Sequence, residues 1–201
     1  MSEIDAKTVM KLRQETGAPM MDCKKALAES NGDWEKAKEI LRMKGMQDAD
    51  VRSARDTAEG RVFGYVHAGD RIGVLLEIDC ETDFVAKNEE FKAFGHELCL
   101  HIAFTRPRFL SREDVDAAAV EKERAFLLAQ VEQQMAGKPA EIQEKAVDGR
   151  MTKFFEEQCL LEQKFIKDDK KTIETYRKEM VARIGENLVI KRFAVFSIGE
   201  E

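Results

Sequence analysis

The feature that most constrains the fold is a change of residue pattern near position 60 of the chain. Before it, residues 5–45 carry apolar side chains at helical spacing. After it, Arg61–Ala68 and Arg71–Cys80 are rich in Val, Ile, Leu and Tyr, and Gly69-Asp70 separates them. This arrangement is typical of a β-hairpin. Helical and strand patterns in separate blocks of one chain predict an α+β protein.

Residues 5–45 are predicted to form three short helices around a small core of their own. Each helix is expected to end at a glycine, the residue that most easily adopts the left-handed conformation of a helix C-terminus: Gly17, Gly32 and Gly45. Asp33 is a suitable N-cap for the third helix, and Trp34 is its one large aromatic side chain. A unit of about 40 residues is marginally stable alone. We therefore expect a docking module, followed by a polar, helical or flexible connector at residues 46–60.

The chain beyond the connector, residues 61–201, is predicted to be an α+β core with an inserted helical hairpin. A helix is expected over residues 88–105, where apolar side chains recur at spacings of three and four. Residues 117–158 show two long helical patterns on either side of Gly137-Lys138-Pro139, which predicts an antiparallel pair of helices. A loop is expected after this hairpin, followed by a helix over Lys171–Ile184.

The last predicted element is a strand over Asn187–Ile198. Strict alternation assigns its apolar side chains to two faces: Leu188, Ile190, Ala194 and Phe196 to one, and Val189, Phe193 and Val195 to the other. Because both faces are partly apolar, the pattern predicts a strand that is covered on each side.

The charge distribution disfavours direct binding to nucleic acids. The chain has 33 Lys and Arg against 39 Asp and Glu, a net charge of −6 at pH 7. Residues 111–160 carry 7 basic against 11 acidic side chains, and no quarter of the chain is distinctly basic. Proteins that bind phosphate backbones concentrate Lys and Arg on one surface. The sequence also lacks a secretion signal and an apolar stretch of about 20 residues, so we expect a cytoplasmic protein without membrane association.

No cofactor, metal ion or catalytic group is predicted. The four cysteines form no CxxC pair and are expected to be reduced thiols. The acidic residues between Asp79 and Glu90 imitate the ligand spacing of a calcium-binding loop, but Phe84 occupies the position where that loop requires glycine. His96 and His101 are five residues apart on a predicted helix and so do not face one metal ion. No phosphate-binding glycine loop or nucleophile motif occurs.

Phe84 stands out in an otherwise polar stretch, Glu81–Asn88, at the predicted junction between the hairpin and the next helix. Spacing alone leaves two interpretations open. Phe84 and Val85 could both pack beneath the helix as a hydrophobic staple. Alternatively, Phe84 could be an aromatic anchor that is presented to a partner beside Asp83.

Met20 and Met21 pose the same question, because methionines fill gaps in cores and also line adaptable binding surfaces. Adjacent helical positions lie about 100° apart around the axis. One methionine of the pair is therefore expected to face solvent.

Two stretches make the chain recognisable. Lys11–Leu27, with the sequence KLRQETGAPMMDCKKAL, resembles the amino-terminal signature of the bacterial translation elongation factor Ts family. Glu81–Asn88, with the sequence ETDFVAKN, resembles the second signature of that family. Further matches follow in the family's order along nearly the whole chain: Tyr65–Leu75, Gly137-Lys138-Pro139, Glu144–Lys153 and Gly185-Glu186-Asn187.

The resemblance implies a guanine-nucleotide exchange factor for elongation factor Tu, a role that needs no enzymatic step and no cofactor. Such a factor binds the GDP-loaded GTPase, remains bound to its nucleotide-free form, and is displaced once GTP and aminoacyl-tRNA bind. The implied fold is a ubiquitin-associated-like (UBA-like) three-helix domain at residues 1–45, a linker at 46–60, and an α+β core with a coiled-coil insertion at 61–201. This agrees with the residue patterns.

The resemblance also implies roles for individual residues. Asp83 and Phe84 would intrude near the magnesium and phosphate sites of the GTPase, flanked by Thr82 and Val85. His67 would contact the GTPase from the neighbouring hairpin. Residues of the amino-terminal signature would hold its nucleotide-binding domain: Arg13, Met20, Met21 and Lys24.

The sequence departs from the longer members of the family, which carry a duplicated core and a carboxy-terminal helical module. Here one copy of the core lies between residues 61 and 110, and the sequence ends at Glu201. Short members of this kind are expected to pair as homodimers, so that two copies rebuild a composite surface. In that arrangement His67 and Phe84 of one chain need not reach the same GTPase.

Two functions from other classes stay open. A UBA-like adaptor, whose core only scaffolds protein contacts, would bind a partner without accelerating nucleotide release. An enzyme would need a deep pocket in which paired carboxylates accompany a histidine such as His67 or His101.

Overall fold

The computed structural model describes residues 5–199 and has the predicted α+β architecture. A helical module precedes a three-stranded antiparallel sheet with packed helices, and a helical hairpin is inserted before the last strand. The elements in chain order are α1 Ala6–Thr16, α2 Met20–Glu29, α3 Trp34–Arg52, β1 Glu59–Val66, β2 Ile72–Cys80, α4 Asp83–Ala86, α5 Glu89–Thr105, α6 Ala117–Gln134, α7 Ala140–Gln158, β3 Lys164–Phe165, β4 Asp168–Thr172, α8 Ile173–Ile184 and β5 Leu188–Ser197. Short 3-10 turns lie at Arg112–Asp114 and Leu160–Glu162.

The three N-terminal helices pack around a core of their own, as predicted. Its buried members come from all three helices: Val9, Leu12, Cys23, Ala26, Leu27, Ala37 and Leu41. Gly17 follows α1 in the left-handed conformation, at φ 72°, where a residue without Cβ is unstrained. The Asp33 carboxylate accepts a hydrogen bond from the Lys36 N–H at 3.1 Å and so caps α3.

The prediction that Gly45 ends the third helix is wrong. The helix α3 continues through Gly45 to Arg52, so the first half of the predicted 46–60 connector is helical. The reason is tertiary packing, because α3 lies along α8. A Cβ at position 45 would lie 2.9 Å from the Cβ of Ala182, so glycine here permits close approach of two helices. Ala49, one turn further on, is buried in the main core.

The predicted β-hairpin is confirmed. Strands β1 and β2 pair antiparallel from Glu59 opposite Cys80 to Val66 opposite Gly73, and β2 also pairs with β5. The sheet order is β1-β2-β5, so β2 is the central strand. Gly69 and Asp70 both adopt positive φ in the turn, at 94° and 57°. Glycine and aspartate are among the residues that tolerate this conformation best.

One face of the sheet packs against α5 and α8 to form the main core. The helix α5 is confirmed with one residue less than predicted at its start, and its four periodic apolar residues are fully buried: Phe91, Phe94, Leu98 and Ile102. Gly95 lies directly over the sheet, since a Cβ there would be 2.3 Å from Cζ of Phe63. The aromatic rings of Phe63 and Phe91 lie 5.7 Å apart, centre to centre.

The prediction that β5 is covered on each side is wrong for the single chain. Glu77 pairs with Arg192 while Ile78 pairs with Ile190, so Lys191 is an extra residue and a β-bulge reverses the alternation. Leu188 and Ile190 face the core before the bulge, and Phe193 and Val195 pack against it afterwards. The opposite face of the sheet is open: the apolar residues Val62, Val66, Leu75 and Phe196 are exposed there, beside the Glu77–Arg192 ion pair.

The helical hairpin at residues 117–158 is confirmed. Its two helices pack through a small separate core: Leu127, Val131, Val147 and Met151. Arg124 on α6 donates a hydrogen bond to Asp148 on α7 at 2.8 Å. The carboxylate of Asp116 caps α6 by accepting from the Ala118 N–H at 3.1 Å.

The segment expected to be a loop contains the short antiparallel pair β3–β4. No sequence pattern predicted it, because β3 has two residues and β4 is mostly charged. Phe165 of β3 stacks on Tyr176 of α8 with ring centres 4.6 Å apart, which holds the pair on the core. The helix α8 begins at Ile173, two residues later than predicted, because Thr172 caps it.

Within residues 5–199, no helix combines the length and the apolar character that crossing a bilayer requires.

Candidate functional site

A one-turn helix, α4, is held between the sheet and α5 by two caps. The Thr82 hydroxyl oxygen accepts a hydrogen bond from the Val85 N–H at 3.4 Å. The Asn88 side-chain oxygen accepts from the Glu90 N–H at 2.7 Å and begins α5. Threonine and asparagine are favoured N-caps because their oxygens satisfy N–H groups that lack helical partners. The chain is therefore constrained immediately before and immediately after the turn.

Phe84 and Val85 point in different directions from this turn. Val85 is 8% exposed and belongs to the main core, whereas Phe84 is 82% exposed. Only Val85 therefore packs beneath the helix, and its side chain anchors the turn instead of facing a partner. Folding therefore buries little of the apolar surface of Phe84. A large apolar side chain left in water is a feature of interaction sites.

Asp83 places a carboxylate beside the exposed ring. The Lys87 ammonium donates to it at 2.6 Å, one helical turn away. This hydrogen bond and the positive charge of Lys87 lower the pKa of Asp83 below its usual range. At neutral pH the turn thus presents a half-exposed carboxylate and an aromatic ring as neighbours.

The residues predicted on the N-terminal module lie together on the surfaces of α1 and α2. Arg13 is in the last turn of α1, and Met20, Met21 and Lys24 occupy the first turns of α2. All four are exposed. Sequence reasoning expected one methionine to face solvent, but both do, because Cys23, Ala26 and Leu27 supply the buried side of α2.

One side chain of α8, Arg183, lies between the α1–α2 loop and the start of α5. A Cβ on Gly17, in the loop before α2, would lie 2.9 Å from Cγ of Arg183. The guanidinium of Arg183 donates to Glu90 at the start of α5 at 2.5 Å. The α1–α2 loop and the start of α5 therefore both contact Arg183. Sequence reasoning assigned no role to this residue.

His67 lies at the opposite end of the sheet. It follows β1 and is paired with the start of β2, through its N–H and the Ile72 carbonyl at 2.9 Å, while α4 follows the end of β2. At about 3.3 Å per residue, the nine residues of β2 separate the two places by roughly 30 Å. His67 is exposed, and its Nδ1 lies 2.9 Å from the Tyr65 hydroxyl. One chain thus does not bring His67 and Phe84 together.

Two residues that sequence reasoning did not single out hold the start of the site. Glu186 accepts hydrogen bonds from Thr82, and Asn187 donates its N–H to the Glu81 carboxylate at 2.7 Å. The sequence pointed to them only through the match of Gly185-Glu186-Asn187 to the family, and that match assigned them no function.

The described part of the chain, residues 5–199, contains no group of three or more His, Cys, Asp or Glu side chains placed to hold a metal ion. The four cysteines are free and buried. Burial raises the pKa of Cys80 to about 11 and that of Cys99 to about 12. Because the thiolate is the reactive form, these thiols suit packing better than nucleophilic chemistry.

The chain is similar to known proteins over nearly all of its length. The model of the family described as Elongation factor TS matches residues 35–200. Elongation factor Ts of Thermoanaerobacter sp. (strain X514) is 51% identical over 197 residues, covering 98% of this chain and 96% of the relative.

Two further relatives from other bacteria agree with this match. Elongation factor Ts of Desulforamulus reducens is 52% identical over 200 residues, covering 100% of this chain and 91% of the relative. Elongation factor Ts of Thermosipho melanesiensis is 48% identical over 197 residues, covering 98% of this chain and the full length of the relative. Given a family model that covers most of the chain and relatives that align nearly end to end, this chain belongs to the elongation factor Ts family.

Proposed function

We propose that this chain is a guanine-nucleotide exchange factor for elongation factor Tu, and that it promotes GDP release by inserting Asp83 and Phe84 near the magnesium and phosphate sites. It would bind both the GDP-loaded and the nucleotide-free GTPase, as a binding factor and not as an enzyme. Membership of the elongation factor Ts family supports the partner. The exposed Phe84 on a capped turn is the observation that supports the mechanism.

The mechanism is thermodynamic linkage. An exchange protein that prefers the nucleotide-free conformation lowers the affinity of the GTPase for nucleotide. By linkage, bound nucleotide lowers the affinity of the GTPase for the exchange protein by the same ratio. Each 1.4 kcal/mol of coupling, approximately, corresponds to a tenfold change in affinity. Complete burial of one Phe side chain contributes about 1.5–3 kcal/mol. Phe84 is therefore one contributor among several, and a second contact surface is needed.

The N-terminal module supplies that second surface in this proposal. Arg13, Met20, Met21 and Lys24 would hold the nucleotide-binding domain while Asp83 and Phe84 act on the ligand sites. Two flexible, exposed methionines suit a partner whose surface changes between its GDP-loaded and nucleotide-free forms. The proposal keeps the division into a docking module within residues 1–45, a connector within 46–60 and a core within 61–201.

The proposal includes a homodimer that forms through the open face of the sheet. Leu75, at 49% exposure, lies in the centre of that face between Gly64 and Ala194, and Val66 and Phe196 border it. An apolar sheet face is normally covered by a second layer at about 10 Å. If the strands of the two copies run in opposite directions, His67 of one copy lies toward the Phe84 end of the other.

The test is the release of a fluorescent GDP analogue from elongation factor Tu. Sub-stoichiometric protein is expected to accelerate release, and Phe84→Ala is expected to remove most of the acceleration at constant folding stability. Phe104→Ala is the matched control, because Phe104 is also exposed, at 78%. It lies at the C-terminal end of α5, whereas the turn that carries Phe84 precedes the start of that helix. Its release rate and melting temperature should both stay near those of the wild type.

The outcomes separate the competing functions. Binding to elongation factor Tu without faster release would indicate an adaptor and would overturn the proposal. A large fall in melting temperature for Phe84→Ala alone would show that the ring stabilises the fold, contrary to its exposure.

A further inference from the structure

We propose that Glu186 is a positioning residue for nucleotide exchange, which sets the direction in which the turn presents Asp83 and Phe84. This inference rests on the proposed function and deepens it. Glu186 lies between α8 and β5, more than 100 residues from the turn along the chain. It is not among the residues to which the resemblance assigns a contact with the GTPase.

The carboxylate of Glu186 accepts hydrogen bonds from Thr82 with both of its oxygens. The Thr82 N–H donates to Oε2 at 3.0 Å, and the Thr82 hydroxyl donates to Oε1 at 2.7 Å. The same hydroxyl oxygen accepts from the Val85 N–H at 3.4 Å. A chain of hydrogen bonds thus runs from the turn, through its cap, to Glu186. Hydrogen bonds to a charged acceptor are stronger than neutral ones, and linked bonds polarise one another.

Two further contacts hold the residues just before the turn. The Cys80 thiol donates to the Thr82 carbonyl at 3.2 Å, and the Asn187 N–H donates to the Glu81 carboxylate at 2.7 Å. Glu186 and Asn187 are adjacent, so consecutive residues of the α8–β5 junction hold consecutive residues of the site.

Asn187 extends this connection to the helical module. Its side-chain N–H group donates to the carbonyl of Arg55 at 2.9 Å and to that of Ser53 at 3.4 Å, directly after α3. Asn187 is 1% exposed, so these bonds are shielded from water. Since α3 begins in the N-terminal module, the junction relates the proposed docking surface to the turn that carries Phe84.

Positioning matters because the side chains of Phe84 and Asp83 make few contacts that would fix their orientation. Phe84 is almost fully exposed, and Asp83 pairs with the exposed Lys87. Their direction therefore depends on Thr82 and Val85 on either side. A loosened turn would lose orientation entropy on insertion, and a misplacement of about 1 Å in a functional group can reduce a rate by up to two orders of magnitude.

The experiment compares three substitutions of Glu186 in the GDP-release assay. Glu186→Ala removes both contacts and is expected to lower the maximal release rate about tenfold, while the half-saturating concentration changes less than about twofold. Glu186→Asp keeps the charge but is too short to reach both donors, so it should be impaired as well. Glu186→Gln can accept from the N–H and donate to the hydroxyl oxygen, so it should recover most of the rate.

The matched control is Glu162→Ala. The Glu162 carboxylate also accepts two hydrogen bonds, from Nε and Nη2 of Arg112, and lies beside the helical hairpin. It should lose stability without losing exchange. A double-mutant cycle with Thr82→Val is expected to be non-additive, because both substitutions break one hydrogen-bond chain.

Equal release rates for Glu186→Asp, Glu186→Ala and wild type would overturn the inference while leaving the proposed function intact. The inference would also be overturned if Glu186→Ala lost binding to the same extent as it lost release rate, or if Glu162→Ala lost release rate to the same extent. If the wild type itself fails to accelerate release, the proposed function fails instead.

Discussion

At the residue scale, exposure distinguishes side chains that hold the fold from those that are free to bind. Three phenylalanines lie within eleven positions of one another, yet Phe91 and Phe94 are fully buried and Phe84 is 82% exposed. Their chemistry is the same, and only their surroundings differ. The exposed ring carries the proposed function because it has no role in folding.

A second residue with a defined environment is His101, which is fully buried on α5. Its Nε2 lies 2.9 Å from Oε1 of Gln163, an oxygen that also lies 2.8 Å from the Thr105 hydroxyl. The Gln163 amide nitrogen donates to the Glu157 carbonyl at 2.6 Å, so Oε1 is the acceptor and Nε2 the donor. Nδ1 accepts from the Ile166 N–H at 3.4 Å and has no place for a second proton.

We expect the stability of the protein to fall as the pH is lowered through the range of His101. Burial lowers the pKa of His101 below its ordinary value, although the hydrogen bond that His101 donates to Gln163 opposes the shift. Below about pH 6.5, His101 therefore binds a proton in the unfolded chain but stays neutral in the folded chain. The free energy of unfolding decreases as the pH falls below that value. It stays constant above that pH as far as this group is concerned.

Thermal or urea unfolding between pH 5 and pH 8 measures this effect. His101→Gln keeps one donor and one acceptor but cannot titrate, so its stability should depend less steeply on pH. A variant with the same pH slope as the wild type would contradict this prediction.

At the element scale, two glycines let helices approach their neighbours. Gly45 allows α3 to lie against α8, and Gly95 allows α5 to lie on β1. Both occur inside helices, where glycine is about 1 kcal/mol less favourable than alanine. The close packing that they permit outweighs this local cost.

Gly95→Ala is expected to destabilise the protein by roughly 1 kcal/mol net. The new methyl group would lie 2.3 Å from the Phe63 ring, and overpacking of this kind costs about 1–3 kcal/mol. This exceeds the gain in helix propensity. Gly149→Ala on α7 is the control, because nothing lies within 4 Å of a Cβ there.

Chemical denaturation reports both changes. Gly149→Ala should stabilise the protein by about 0.5–1 kcal/mol. If Gly95→Ala also stabilises it, the packing of α5 on β1 is looser than the structure indicates.

At the scale of the whole molecule, the open sheet face predicts self-association. Leu75→Glu is expected to convert a dimer into a monomer, because it would place a charge at the centre of the apolar face. Val51→Glu is the control, since Val51 is 74% exposed on α3 and lies outside the sheet. Sedimentation equilibrium measures the outcome.

A wild-type protein that sediments as a monomer would contradict the homodimer. A Leu75→Glu variant that remains dimeric would retain the homodimer but exclude this face as its interface.

Local signals in the sequence predicted much of the fold. The hairpin turn at Gly69-Asp70, the helix that contains Phe91 and the helical hairpin each depend on residues within about 40 positions of one another. The β3–β4 pair was missed because its stability comes from the stacking of Phe165 on Tyr176. The site was located through its resemblance to a family, while residue spacing alone left the orientation of Phe84 open.

The amino-acid sequence by itself determined the α+β class, most of the elements and the family, since periodicity, turn residues and signatures are local. The tertiary structure alone decided that α3 passes through Gly45, that Lys191 forms a bulge and that one sheet face stays open. It also decided that Val85 is buried while Phe84 is exposed, and that Glu186 holds the turn. These features depend on contacts between residues that are distant in the chain, and no local pattern records such contacts.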